Sequence, residues 1–232
     1  MTNRYETNWN AKALLNYSLS INEKHRFHFL LGTEALKSTR VSNYTNVVFE
    51  QGKEDWLFNN PAYDETNKTF TSYPNQDFSF ISFFGRINYT FKDRYMFTGT
   101  FRRDGSSRFG ENNKFGNFPA ASIGWMITEE DFLKDNEVVS LLKLKTGFGI
   151  TGNAEIPNYA QWGAVSVNTN QLYVGDNYWY INSLKNPDLK WETTSTFDVG
   201  LEYGFLKNRI SGEIGFYNKN SKDLFLNVSV PA

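Results

Sequence analysis

The sequence predicts an all-β chain of antiparallel strands joined in chain order. Three observations predict it. Segment after segment alternates apolar and polar residues with period two. The connections alternate between a few residues and several tens. Aromatic residues gather near the ends of the strand-like segments, and Phe (21) and Tyr (13), both strand-favouring, supply most of them.

The first hairpin pairs Ala13, Leu15, Tyr17, Leu19 and Ile21 with Phe27, Phe29 and Leu31 across the short turn Asn22–His25. Residues from about Ser38 to Gln76 are polar and carry no period, so they read as a long loop. A second hairpin follows. Phe83, Gly85, Ile87, Tyr89 and Phe91 lead through Lys92–Arg94 to Tyr95, Phe97, Gly99 and Phe101. The charged stretch 103–116 then reads as a structured loop, and Ala121, Ile123, Trp125 and Ile127 return from it. Thr128–Asp131 carries a capping-box pattern for a short helix through Asp135. Leu142, Leu144, Thr146, Phe148 and Ile150 make the next strand, and 152–190 reads as a second long irregular stretch. Phe197 to Phe205 and Ile210 to Phe216 form the last hairpin, around a tight turn at Leu206–Asn208.

Two architectures bury such alternating faces: a soluble β-sandwich, or a transmembrane barrel with lipid outside and a polar lumen. Periodicity alone leaves both open. The rhythm of the loops favours the barrel, because short turns at 22, 92 and 207 fall at one end of the strands and long connections at the other. Aromatics beside the short turns suit a membrane interface. Mean hydropathy of −0.54 does not oppose this, since barrel strands are only half apolar. No run of about 18 apolar residues predicts a membrane-spanning helix.

Composition narrows the chemistry. With no Cys, disulfides, thiolate metal sites and Cys nucleophiles are excluded, and His25 and His28 are the only histidines. A net charge of −1 gives no electrostatic case for nucleic acid. Ser106 and Ser107 lack a nearby His, so no catalytic site is expected, and no metal site or cofactor either. Asn-rich loops leave oxygen-ligated calcium open.

Several motifs occur in a fixed order. They are 84–89 (FGRINY), 102–110 (RRDGSSRFG), 118–125 (FPAASIGW), Phe132–Leu133, 142–145 (LKLK), 149–153 (GITGN) and 186–194 (NPDLKWETT). Together they resemble the C-terminal part of the barrel in SusC/RagA-type TonB-dependent outer-membrane transporters, over about residues 80 to 225. The resemblance implies an antiparallel transmembrane β-barrel, here a partial one of about nine to ten strands with long outer loops. Family members look like 22-stranded barrels plugged by an N-terminal domain. It also implies energised import of oligosaccharides or peptides in the bacterial outer membrane, not enzymatic catalysis. The implied partners are outer-membrane lipid, a SusD-like surface lipoprotein, and TonB acting through the N-terminal region of the full protein. The polar start at Met1–Asn10 and the end at Val230–Ala232 fit neither a signal peptide, TonB box and plug nor an aromatic last residue. Residues 1–232 are therefore expected to be one fragment of a barrel domain. A carbohydrate-binding β-module and a passive porin-like barrel stand as alternatives.

Two groups of residues stand out within this reading. Arg102, Arg103, Asp104, Gly105 and Arg108 are expected to lock the charged loop by Arg–Asp pairing and a turn at Gly105, with Ser106 and Ser107 satisfying backbone groups. Pro187 and Asp188 are expected to build a turn, with Trp191 as a packing anchor. Trp162, Tyr173, Tyr178, Trp179 and Tyr180 are candidates to stack on a sugar ring. Trp56, Phe58 and Tyr63 share that reading in the first long loop.

Overall fold

The computed structural model describes residues 2–47, 68–134, 136–173 and 176–225. Among them are ten strands: β1 (Thr2–Ile21), β2 (His25–Val47), β3 (Lys68–Phe91), β4 (Tyr95–Ser106), β5 (Phe115–Met126), β6 (Val139–Asn153), β7 (Ala164–Tyr173), β8 (Asp176–Ser183), β9 (Glu192–Phe205) and β10 (Ile210–Lys222). Eight make one meander in the order β1-β2-β3-β4-β5-β6-β9-β10, with every neighbouring pair antiparallel. The separate β7–β8 hairpin is an excursion in the β6–β9 connection.

The register places the apolar set of each strand of this meander on one face. Tyr17, Phe29, Ile87, Gly99 and Ala121 lie at one level of it, and Leu144, Leu201 and Ile214 at another. The other face carries Arg86, Thr100, Lys145, Asp198 and Glu202. The apolar face is bare: Ile123 is 56% exposed and Phe216 61%. A sandwich would cover that face with a second sheet. A membrane barrel turns it to lipid, so the uncovered face separates the two architectures that periodicity left open.

The three tight turns owe their shape to paired left-handed residues. Asn22 and Glu23, Lys92 and Asp93, and Lys207 and Asn208 lie at the centres of turns closed by Lys24 N to Ile21 O, Arg94 N to Phe91 O and Arg209 N to Leu206 O, and all have φ between 49° and 61°, the sign that type I′ hairpin turns need at both central positions. Adjacent turns are stitched together. Lys92 N donates to Lys24 O at 2.7 Å, Met126 N to Arg94 O at 2.7 Å, and Leu206 N to Val138 O at 2.8 Å. Stacked rings line the same rim, with Phe27 against Tyr89 at 4.6 Å and Phe91, Tyr95 and Trp125 in sequence beyond.

Four expectations change. The loop expected over 38–76 is largely strand, since β2 continues to Val47 and β3 starts at Lys68. A 24-residue strand tilted by about 45° rises roughly 55 Å, well past a hydrocarbon core of about 30 Å. Above that core both faces meet water, so the period-two signal vanishes while the ladder persists. The stretch 103–116 shrinks to a connection of 107–114, with Gly105 inside β4 rather than in a turn. The irregular stretch 152–190 contains the β7–β8 hairpin. The helix expected over Thr128–Asp135 is a single 3₁₀ turn, Ile127–Glu129, with no side-chain cap. The carboxylates that would have capped it are used elsewhere. Glu130 accepts from Tyr95 Oη, Trp125 Nε1 and Arg94, and Asp131 accepts from Arg94 at 2.7 Å. Asp135 and the segment 48–67, with Trp56, Phe58 and Tyr63, lie outside the described residues.

Candidate functional site

The two motifs that stand out in the sequence clasp each other at the long-loop rim. Gly110 N donates to Leu189 O at 2.9 Å and Asn112 N to Pro187 O at 3.3 Å. Asn112 Nδ2 reaches Asp188 Oδ1 at 2.8 Å, and Asn113 Nδ2 reaches Asp188 O at 3.0 Å. Asp188 N is held by Asn186 Oδ1, a local turn that presents the Pro187–Leu189 carbonyls. Gly110 is required by close approach, because a Cβ there would run into the Pro187 carbonyl.

A small core seals the clasp. Phe109, Phe118, Ile156 and Trp191 are the buried large hydrophobics among the described residues. Trp191 stacks on Phe109 at 4.4 Å, meets Phe118 edge-on at 5.3 Å, and donates its indole N–H to Lys114 O. The cluster fills a wedge in the sheet. Pairing between β5 and β6 stops at Ala120–Gly149 although both strands run on, and Gly152 leaves room for the rings of Phe118 and Trp191. Sequence reasoning singled out Trp191 but not Ile156 or Gln161, since one apolar or amide residue in a polar stretch carries no period.

The charged motif splits by strand parity. Arg102 points to the polar face, gives Nε to both Asp104 oxygens at 2.7 Å, and gives Nη2 to the fully buried Ser82 at 2.8 Å. Arg103 lies on the apolar face, its guanidinium 5.0 Å from the Phe115 ring centre, and that ring also covers Gly105. Arg108 leaves the sheet and joins three segments. It donates to Asn158 Oδ1 at 2.7 Å and Ala154 O at 3.1 Å, and lies 4.1 Å over Phe78. Burial lowers its pKa from the ordinary arginine value. Ser107 Oγ accepts from Ser79 N, and Ser106 Oγ accepts from Arg108 N. Gln161 bridges Ser107 O and Asn186 N, so the clasp extends toward β7.

The candidate aromatics are spread along the excursion from this clasp. Trp162 precedes β7, is 56% exposed, and has Lys185 Nζ 5.7 Å from its ring centre. Tyr173 closes β7 opposite Asp176, while Tyr178, Trp179 and Tyr180 pair along β8 with Asn168, Val167 and Ser166. The side chains of these four lie outside the described residues. Lower on the polar face, Lys145 bridges Glu202 at 3.0 Å and Glu213 at 2.6 Å, with Lys143 also near Glu202. Among the described residues no three His, Asp or Glu side chains gather as a metal site.

A family model described as TonB dependent receptor-like, beta-barrel matches residues 1–232. The chain belongs to the TonB-dependent receptor β-barrel family. It is 36% identical over 233 residues to TonB-dependent receptor SusC of Bacteroides thetaiotaomicron, a match covering 98% of this chain and 22% of SusC. It is 33% identical to TonB-dependent receptor P26 of Formosa agariphila, covering 96% of this chain and 22% of that protein. The chain thus spans about a fifth of the length of these relatives. Among solved structures, that of the RagAB peptide transporter superposes with a TM-score of 0.85 at 28% identity, covering 99% of this chain and 25% of the matched one. Its importer in the open-open state gives 0.82 at 29% identity. A SusC/RagA-like outer-membrane β-barrel is therefore the setting of this sheet, with the apolar face toward lipid and the polar face toward the lumen.

Proposed function

We propose that residues 1–232 are one stretch of a barrel wall in a TonB-dependent importer of oligosaccharides or peptides. The observation that carries this is the inverted two-faced sheet, bare and apolar outside, charged inside, with a braced rim at the long-loop end. Its edges support the same reading. β1 and β10 are solvent-exposed along nearly their whole lengths, and strand edges in lipid require partners. Further strands of the same barrel would supply them.

In this reading the wall acts by position. The outer face seals the protein in the membrane, and the lumen charges held by Lys145 keep the passage wet. The clasp of 102–113 with 186–191 braces the mouth, so Arg102, Asp104, Gly105, Arg108, Pro187, Asp188 and Trp191 act by holding shape. The β7–β8 hairpin rises from that mouth and carries Tyr173, Tyr178, Trp179 and Tyr180 into the vestibule, with Trp162 at its base. Flat rings there suit either sugar C–H faces or peptide side chains. A SusD-like lipoprotein would close over the same rim, and TonB would pull on a plug elsewhere in the full protein.

The test uses the full-length transporter with its partner. Replacing Trp162, Tyr178, Trp179 and Tyr180 by Ala should lower uptake at least tenfold while leaving outer-membrane levels unchanged. Deletion of TonB should abolish uptake. Uptake that persists without TonB, at a rate linear in substrate concentration, would replace the importer by a passive pore.

A further inference from the structure

The bare apolar face is not uniform. Gly85 and Gly99 lie in the floor of a groove of about 780 Å³ walled by Leu31, Phe83, Ile87 and Phe101, with Leu31 leaning over Gly85 and Ile87 over Gly99. Arg103 closes its end toward the long-loop rim. Beyond it a second groove of about 330 Å³ runs outward past Trp9, Ile81, Gly105 and Phe115, edged by Lys37 and Lys114. Arg103, Lys37 and Lys114 are exposed, and among the described residues none of them has a carboxylate partner. Unpaired cations on a lipid-facing wall are costly at mid-membrane and favourable only near headgroups.

We propose that these two grooves form a specific site for an outer-leaflet lipid whose phosphorylated headgroup is held by Arg103, Lys37 and Lys114. Its acyl chain lies over Gly85 and Gly99. Two features select this occupant over a protein partner. The two apolar grooves follow one another along β2, β3 and β4, from Leu31, Gly85 and Gly99 to Lys37, Ile81 and Gly105. The three cations stand at the end of the apolar channel, where the phosphate of a membrane-embedded lipid would sit. Arg supplies a bidentate fork for phosphate, and each Lys supplies a point charge. The site is separate from the lumen and the substrate route.

The test is native mass spectrometry of the full-length transporter in detergent, titrated with bis-phosphorylated lipid A, with the same lipid stripped of phosphate, and with inorganic phosphate. One lipid A per transporter should be retained, with at least tenfold weaker binding of the dephosphorylated form. R103Q combined with K37Q and K114Q should lower lipid A binding at least tenfold. Gly99→Leu, which fills the groove floor, should lower it without touching a charge. Heat-modifiable gel migration checks that each variant remains a folded barrel. Equal lipid A binding by folded wild-type and triple-variant protein would overturn the proposal. So would inorganic phosphate displacing the lipid at equal concentration, which would mean a free-anion site.

Discussion

At the short-turn rim the connections 22–24, 92–94 and 206–209 take three or four residues, and none of their large side chains is buried. At the long-loop rim Phe109, Phe118, Ile156 and Trp191 are almost wholly removed from solvent. The first rim is built from local backbone chemistry: left-handed residue pairs, turn-to-turn hydrogen bonds, and rings that face outward. The second is built from contacts between segments about 80 residues apart, with a core of its own. Each rim therefore draws its order from a different source. Exposed aromatics at the short turns depend on the membrane interface to settle them. A buried cluster settles itself, so the long-loop rim keeps its shape in water.

Trp191→Ala removes the centre of the cluster and should cost about 3–5 kcal/mol locally. Amide exchange at Gly110 should then speed by at least ~100-fold in the full transporter while Arg94, at the opposite rim, is unchanged. Equal acceleration at both rims would mean that they open together. Gly110→Ala drives a Cβ into the Pro187 carbonyl and should cost about 1–3 kcal/mol at the same amides. Gly215→Ala is the control, since nothing lies closer to its added Cβ than Val199 O at 3.7 Å. If both glycine variants behave alike, close approach is not the reason for Gly110.

The short-turn rim should respond instead to acid. Hydrogen bonds from Tyr95, Trp125 and Arg94 hold the Glu130 carboxylate below its usual range, and the Arg94 hydrogen bond does the same for Asp131. A depressed carboxylate stabilises the folded state above its unfolded value and loses that contribution as pH falls through the folded value. The contacts should therefore survive mild acid and fail only below the ordinary carboxylate range of about 4. Arg94→Ala should move that loss to higher pH, followed by the carboxylate infrared bands. No pH shift on removing Arg94 would refute the assignment. The smallest effect belongs to the turn itself. Lys207→Gly relieves one left-handed residue and should stabilise by up to about 1 kcal/mol, read as a rise in the urea midpoint for refolding into lipid vesicles.

The sequence made the membrane-depth half of each strand legible, because alternation there separates lipid from lumen. Ile87, Phe97, Ile123 and Leu201 all lie on the face that their period assigns. Above the membrane the code fades. Arg40 pairs with Gln76 and Asn43 with Ser72 in a ladder that continues across a shift of register between Arg40 and Ser42, yet neither face is apolar, so these strands look like loop. The β7–β8 hairpin is hidden for the same reason. The charged motif is legible as a unit but not in its parts, since parity sends Arg102 inward and Arg103 outward. The mutual docking of 108–113 and 186–191 was beyond reach, because no local pattern reports a contact across 76 residues.

In the proposed orientation of this wall, its two rims stand on opposite sides of the outer membrane. Because the segment contains no cysteine, single reporters can be placed at will. Trp162→Cys and Lys207→Cys, in a full-length background without other reactive cysteines, are labelled on intact cells with a membrane-impermeant maleimide. Labelling is expected at 162 on intact cells, and at 207 only after the outer membrane is permeabilised. Labelling of 207 on intact cells, with 162 protected, would invert the wall and contradict this orientation.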